Sequence, residues 1–192
     1  RFSCTDSPRR SSFAPGATSC GIRRDPELAP MDAARGAREI EARLREAADP
    51  LRAEREKAYL KSELRHFGAS VPAIRKIAEE AFGNVAGRVD LLPVVQALWA
   101  RPVHECRMAA VELLDLGSGL LLARDMTLVE RLIREAKTWA LVDGLAASVA
   151  GALVERHPES GSTLDRWSTD SDFWLGGRRS SRCSFAAPGA RN

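Results

Sequence analysis

Thr138-Trp139-Ala140-Leu141-Val142-Asp143 reads as the opening of a helix. Thr138 is an N-cap residue type, and the apolar run beyond Asp143 keeps a helical period. Trp139 and Asp143 stand four apart, so on a helix they lie one above the other on the same face. The indole needs contact area and one partner for its N–H, whereas the carboxylate needs water or a cation. Two roles are open to such a pair: core packing with a capping acid, or a shared surface facing a ligand.

Outward from this stretch, the chain reads as one helix after another. Asp32 to Ala48 is amphipathic, with Ile40, Leu44 and Ala47 inward, and Asp49-Pro50 ends it. A second helix is expected over Leu51–Phe67, closed by Gly68. Ser70 caps a third, with Pro72 in its first turn and Val71, Ile74, Ile77, Ala78 and Ala81 on one face. Asp90 leads a segment to Trp99, and after Arg101-Pro102 a helical run reaches Leu116, packed by Val103, Met108, Val111 and Leu114. Thr127 and Glu130 have capping-box spacing for a helix through Ala136. The helix opened at Thr138 should run to Arg156; Thr163–Ser168 is a short piece, and Ser171 or Asp172 would cap another.

No stretch alternates apolar and polar residues, so the fold class is all-α. The helices come in pairs of about 35–45 residues, the spacing of HEAT-like repeats, which stack into an α-α superhelix or solenoid.

The net charge of +3 over 192 residues belongs to the ends. Residues 1–30 sum to +2 and 176–192 to +4, while 31–175 hold 20 basic and 23 acidic residues. A nucleic-acid surface in the middle must therefore be a local patch. Of the four cysteines, Cys4, Cys20 and Cys183 lie in the ends and only Cys106 in the middle. Neither they nor His66, His104 and His157 have metal-ligand spacing, so no metal and no cofactor are expected. No run of about 18 apolar residues exists, and the N-terminus lacks an apolar signal-peptide core. A cytoplasmic protein is expected.

Residues 1–30 are rich in Ser, Pro, Arg and Gly and read as a disordered, non-native leader, with Met31 as the natural start. The folded domain is expected over 31–175. After Leu175 the apolar stripe stops, and 176–192 reads as a disordered tail of out-of-frame character that leaves the last repeat incomplete.

Several pieces, in order, carry a resemblance: Tyr59-Leu60-Lys61-Ser62; Phe67-Gly68-Ala69-Ser70-Val71-Pro72-Ala73-Ile74-Arg75; Leu98-Trp99; Pro102-Val103-His104-Glu105 through Leu114; the stretch 138–143; and Arg166-Trp167 through Leu175. Together the block from Tyr59 to Trp174 resembles the DNA alkylation repair family, the HEAT-like alkylpurine DNA glycosylases called AlkD. The resemblance implies hydrolysis of the N-glycosidic bond of N3- or N7-alkylated purines in double-stranded DNA by a monomer of the bacterial cytoplasm. Those bases are cationic and leave readily, so the enzyme must chiefly stabilise an oxocarbenium-like sugar and position water. Asp143 suits both tasks. Trp139 would lie against the sugar or lesion, a contact worth roughly 0.5–2 kcal/mol, and Tyr59 matches the family's aromatic near the lesion.

One element departs from the family pattern. An assisting arginine is expected at the place held by Gly177, and Arg178 is one step on, about 100° round a helix. Its loss favours the competing reading, a non-catalytic HEAT-type module binding DNA or protein, or an inactive truncated remnant. Retention of Trp139 and Asp143 favours the enzyme. Lys61, Arg75, Lys76, Arg107, Lys137 and Arg166 are candidates for DNA-backbone contacts. Trp99, Trp167 and Trp174 read as core, Tyr59 as core or site, and Glu105 as the partner of a nearby arginine.

Overall fold

A computed structural model describes residues 32–176. The expectations for residues 1–30, for Met31, for Gly177, Arg178 and the rest of the tail, and for Cys4, Cys20 and Cys183, lie outside the described residues.

The helices are α1 (Ala33–Glu46), α2 (Pro50–Leu60), α3 (Val71–Phe82), α4 (Arg88–Trp99), α5 (His104–Leu116), α6 (Met126–Ala136), α7 (Trp139–Asp143), α8 (Gly151–Arg156) and α9 (Gly161–Ser168). A π-helical segment, Gly144–Ala150, joins α7 to α8 without a break. Among the described residues there is no strand, only an isolated bridge between Arg65 and Val103.

These helices stack in two rows. In one row α1 packs on α4. Trp99 at the end of α4 donates its indole N–H to Glu135 of α6 at 2.8 Å, and Trp167 of α9 donates to Glu130 of α6 at 2.9 Å. In the other row α3 packs on α5, and α5 on the π-helical segment. The partners in these cross-stack contacts keep a near-constant separation along the chain: 37 residues for Arg75 and Glu112, 36 for Trp99 and Glu135, 37 for Trp167 and Glu130, 36 for Arg134 and Asp170. Each step along the stack thus repeats one helical unit, as expected of an all-α helical-repeat superhelix.

The core runs between the rows. Ile40, Leu44, Leu91, Leu98, Leu113, Leu114, Leu132, Leu141, Leu145 and Leu153 are all buried. Ala47, expected inward, is exposed at the end of α1, and so is Val71 at the start of α3. Asp32 caps α1 through the amides of Ala34 and Arg35, and Ser70 caps α3 through Ala73. Pro72 sits in the first turn of α3, where its missing N–H disturbs little. α4 starts at Arg88 rather than at Asp90, so Pro93 lies inside the helix and the carbonyl of Val89 receives no amide from it. Asp172 accepts from the amides of Trp174 and Leu175, so the expected cap forms, although only a turn follows among the described residues.

Three local expectations are corrected. The second helix ends at Leu60, not Phe67: Lys61 turns left-handed (φ 48°) and closes it. The loop that follows is then held elsewhere, by Glu105. α6 begins at Met126, so Thr127 lies inside it and makes no capping box with Glu130. Glu130 instead receives Trp167, Arg134 and Arg166. Finally, Thr138 occupies the N-cap position with extended backbone, but its hydroxyl makes no cap bond and is buried without a partner.

α2 stands apart from both rows. None of its residues is buried, because its sequence offers too few apolar side chains to form a stripe. It lies across the surface, and its last turn carries Tyr59.

Candidate functional site

The helix that carries Trp139 and Asp143 begins where Lys137, left-handed at φ 53°, closes α6. That sharp turn lets α7 start at once, with Thr138 tucked inside and Trp139 at its first position. The amide of Val142 bonds the carbonyl of Thr138 at 3.2 Å. Leu141 faces the core, while Trp139, 48% exposed, and Asp143 face out. The two therefore share an outward face, as the i, i+4 spacing requires.

Tyr59 comes to that face from α2. Its ring meets Trp139 edge to face, with centroids 5.8 Å apart and planes at 87°. Tyr59 is 74% exposed, so the sequence alternative of a core tyrosine does not hold. Two aromatic plates exposed together are costly to leave in water for stability alone. Asp143 beside them has no hydrogen bond or ion pair among the described residues. An unpaired carboxylate next to an exposed indole can meet a cationic ligand without first breaking a bridge.

The basic candidates separate into two groups. Lys61 and Lys137 are the only left-handed residues other than glycine among those described, and both are exposed. Lys61 follows Tyr59 by two positions and Lys137 precedes Trp139 by two, so each flanks one member of the aromatic pair. Lys76 is likewise exposed and forms no ion pair among the described residues. Arg75 bonds Glu112 at 3.2 Å and Arg166 bonds Glu130 at 2.6 Å, yet both remain mostly exposed. Arg107 is different. Its guanidinium donates to the carbonyls of Trp99 and Glu135 and lies 5.0 Å over the Trp99 ring. Burial pulls its pKa down. It knits α4, α5 and α6 together, with little left to offer a phosphate.

A second, buried cluster lies behind the 61–70 loop, where the sequence points to no catalytic or metal-binding role. Glu105 is fully buried and, contrary to expectation, no arginine among the described residues holds it. Its carboxylate accepts the amide of Phe67 at 3.0 Å and that of Gly68 at 2.6 Å. Next to it His66 and His104 stack with centroids 4.5 Å apart and planes at 9°. Both ring nitrogens of His66, and Nδ1 of His104, are buried without a hydrogen-bond partner. Burial, followed by the neighbouring His66, pushes His104 down to about 4; burial also lowers His66. Glu56, His66 and Glu105 could each offer one atom to a metal ion, all within 4.8 Å of one another. Both oxygens of Glu105 already serve loop amides, however, which gives that carboxylate a structural use. The 38-residue offset between Phe67 and Glu105 is the repeat spacing seen elsewhere, the one signal by which this link was open to discovery. Cys106, also buried, is pushed up to about 12 by loss of solvent, which keeps it an inert thiol.

A stack of repeated helix pairs that presents an exposed Tyr–Trp pair, beside a carboxylate unpaired among the described residues, defines an all-α helical-repeat protein. The family model described as DNA alkylation repair enzyme matches residues 40–187, most of the chain and past Leu175. The protein belongs to that family, and with it to the enzymes of DNA repair that act on DNA. No curated protein matches the sequence. Among the described residues no helix is long and apolar enough to cross a membrane.

Proposed function

We propose that this protein is a DNA glycosylase that hydrolyses the N-glycosidic bond of N3- and N7-alkylated purines in duplex DNA, working as a monomer without metal or cofactor. The observation that carries the reading is the shared exposure of Tyr59, Trp139 and Asp143 on one face. An alkylated purine bears a positive charge, so its bond to deoxyribose weakens without protonation of the base. As the bond lengthens, positive charge builds on the sugar. Asp143 stabilises that charge and orients the attacking water, the part an ionised carboxylate plays in glycoside hydrolysis. Trp139 offers its π-face to the cationic base or sugar. Tyr59 braces the indole edge-on.

Lys61 and Lys137 fit the phosphates on either side of the lesion, because each stands two residues from one aromatic. Lys76, Arg75 and Arg166 extend the backbone contacts, the two arginines by exchanging a surface carboxylate for a phosphate. Such contacts position the duplex without reading sequence. The domain on which this depends is taken as 31–175.

The experiment is release of methylated purine from alkylated plasmid DNA, comparing the unmodified protein with Asp143→Asn. Release that disappears in the variant is the expected result. Equal release from both removes Asp143 from the chemistry. Release from neither, together with salt-sensitive binding to the plasmid, turns the reading to a non-catalytic DNA-binding module.

A further inference from the structure

Asp143 is the last α-helical residue before the only π-helical segment among the described residues, Gly144–Ala150. The other members of the same row, α3 and α5, are α-helical throughout. The pattern of burial explains how this helix differs. Leu141, Leu145, Val149, Ala150 and Leu153 are buried. An α-helix buries positions i, i+4, i+7, i+8 and i+11; here the last three fall one place late. The helix therefore carries one residue more than its packing needs. That residue is absorbed by widening the turn from i→i+4 to i→i+5 bonding. The widened turn keeps the buried stripe on the core at the expense of regular α-helical hydrogen bonding, and it does so directly after Asp143.

Gly144 fixes where the widening starts. A Cβ built on Gly144 would come within 2.7 Å of Val111 Cγ1 on α5, closer than side chains tolerate. Glycine thus lets the turn carrying Asp143 settle directly on α5. Just N-terminal to it, the carboxylate is held by backbone alone, since no side chain among the described residues bonds it. Resting on the glycosylase reading, we propose that Gly144 and the extra residue of the π-helical segment are a positioning device that sets the depth and angle of Asp143 against the reacting sugar. The device trades helix regularity for the placement of one carboxylate. Its members do not touch DNA.

The test uses the full chain on alkylated plasmid DNA, with kcat, KM and Tm measured for three variants. Deletion of Ala147, an exposed residue of the segment, restores the α-helical pattern. It is expected to leave Tm unchanged or higher while kcat drops at least about tenfold and KM stays within about threefold, the signature of a group needed in the transition state rather than for binding. Gly144→Ala is expected to lower kcat likewise, and Gly144→Ala combined with Val111→Ala to recover most of it by clearing the clash. Full kcat in the Ala147 deletion or in Gly144→Ala overturns the inference. A deletion that loses kcat and Tm together also overturns it, because packing alone would then suffice. No release by the unmodified protein removes the glycosylase reading, and this inference with it.

Discussion

Tyr59 and Trp139 touch edge to face across 5.8 Å although one belongs to α2, which buries nothing, and the other to the first turn of α7. The contact joins a surface helix to the row that carries Asp143. It also leaves Tyr59 mostly and Trp139 about half in water, where an aromatic pair adds about 0.5–1.5 kcal/mol beyond area burial. Their exposure, more than their identity, is what supports the proposed ligand face.

Replacing Trp139 with alanine should therefore cost little stability, about 1 kcal/mol or less, because the site is half exposed. The same change should cut purine release sharply. Intrinsic fluorescence offers an independent check. Trp99 and Trp167 are buried, so quenching by acrylamide falls mainly on the exposed indoles. Duplex DNA should protect part of that signal in the unmodified protein, and the protected part should vanish in Trp139→Phe. Unchanged protection would place DNA on another surface.

Glu105 should be among the least replaceable side chains. Its carboxylate satisfies the buried amides of Phe67 and Gly68. Glu105→Ala strands both donors, at a cost on the order of 1–3 kcal/mol for each unsatisfied group. Glu105→Gln keeps one acceptor oxygen and should recover part of the loss. Urea denaturation of the three proteins gives the order. A Glu105→Ala midpoint equal to that of the unmodified protein would show that the loop holds itself.

Signals that act within a turn or two of the chain were legible. Ser70 capped its helix, Ile40 and Leu44 pointed inward, and the paired helices and their spacing came out of periodicity alone. What stayed hidden depends on partners one repeat away. Nothing near Lys61 says that the second helix ends there: no glycine or proline marks the spot. The stop makes sense only once Glu105 is seen to hold the following loop. From sequence Glu130 reads as a local cap because Thr127 stands three residues before it, yet its partners include Trp167 and Arg166 in the next unit. At the site, the spacing of Trp139 and Asp143 put them on one face. Only tertiary structure decided that this face looks outward and that Tyr59 joins it. The π-helical turn was invisible, since one surplus residue in an apolar run changes no propensity.

His104 makes stability depend on pH in a defined window. Burial holds its folded-state pKa near 4, below its ordinary value of 6.5. Between those values the unfolded chain binds a proton that the folded chain refuses. The stability contributed by the neutral ring is thus complete above about pH 6.5 and drains away as pH falls toward 4, by on the order of 3 kcal/mol in all. His66 is shifted in the same direction and adds to the slope. His104→Gln should flatten the dependence of the urea midpoint on pH in this range. A slope unaltered by that variant would assign the acid sensitivity to other groups.

Gly68 is where the 61–70 loop is most constrained, and two substitutions separate conformation from composition. Its φ of 83° lies in the region that side chains rarely adopt, and a Cβ there would fall 2.0 Å from the carbonyl oxygen of Asp49. That atom is backbone at the start of α2, tied to the same loop by the amide of Asp49 bonding the carbonyl of Phe67 at 3.0 Å. It has no room to yield without moving α2. Gly68→Ala must therefore either push α2 off the 61–70 loop or flip the loop and break its amides away from Glu105, a loss of several kcal/mol by the scale of strain plus unsatisfied buried donors. Gly87→Ala is the control, since a Cβ there meets nothing within 4 Å; it should leave Tm within a few degrees. Since α2 delivers Tyr59, Gly68→Ala should also weaken purine release wherever the protein still folds. A Gly68→Ala protein as stable and as active as the Gly87→Ala control would mean that the loop does not hold α2 in place.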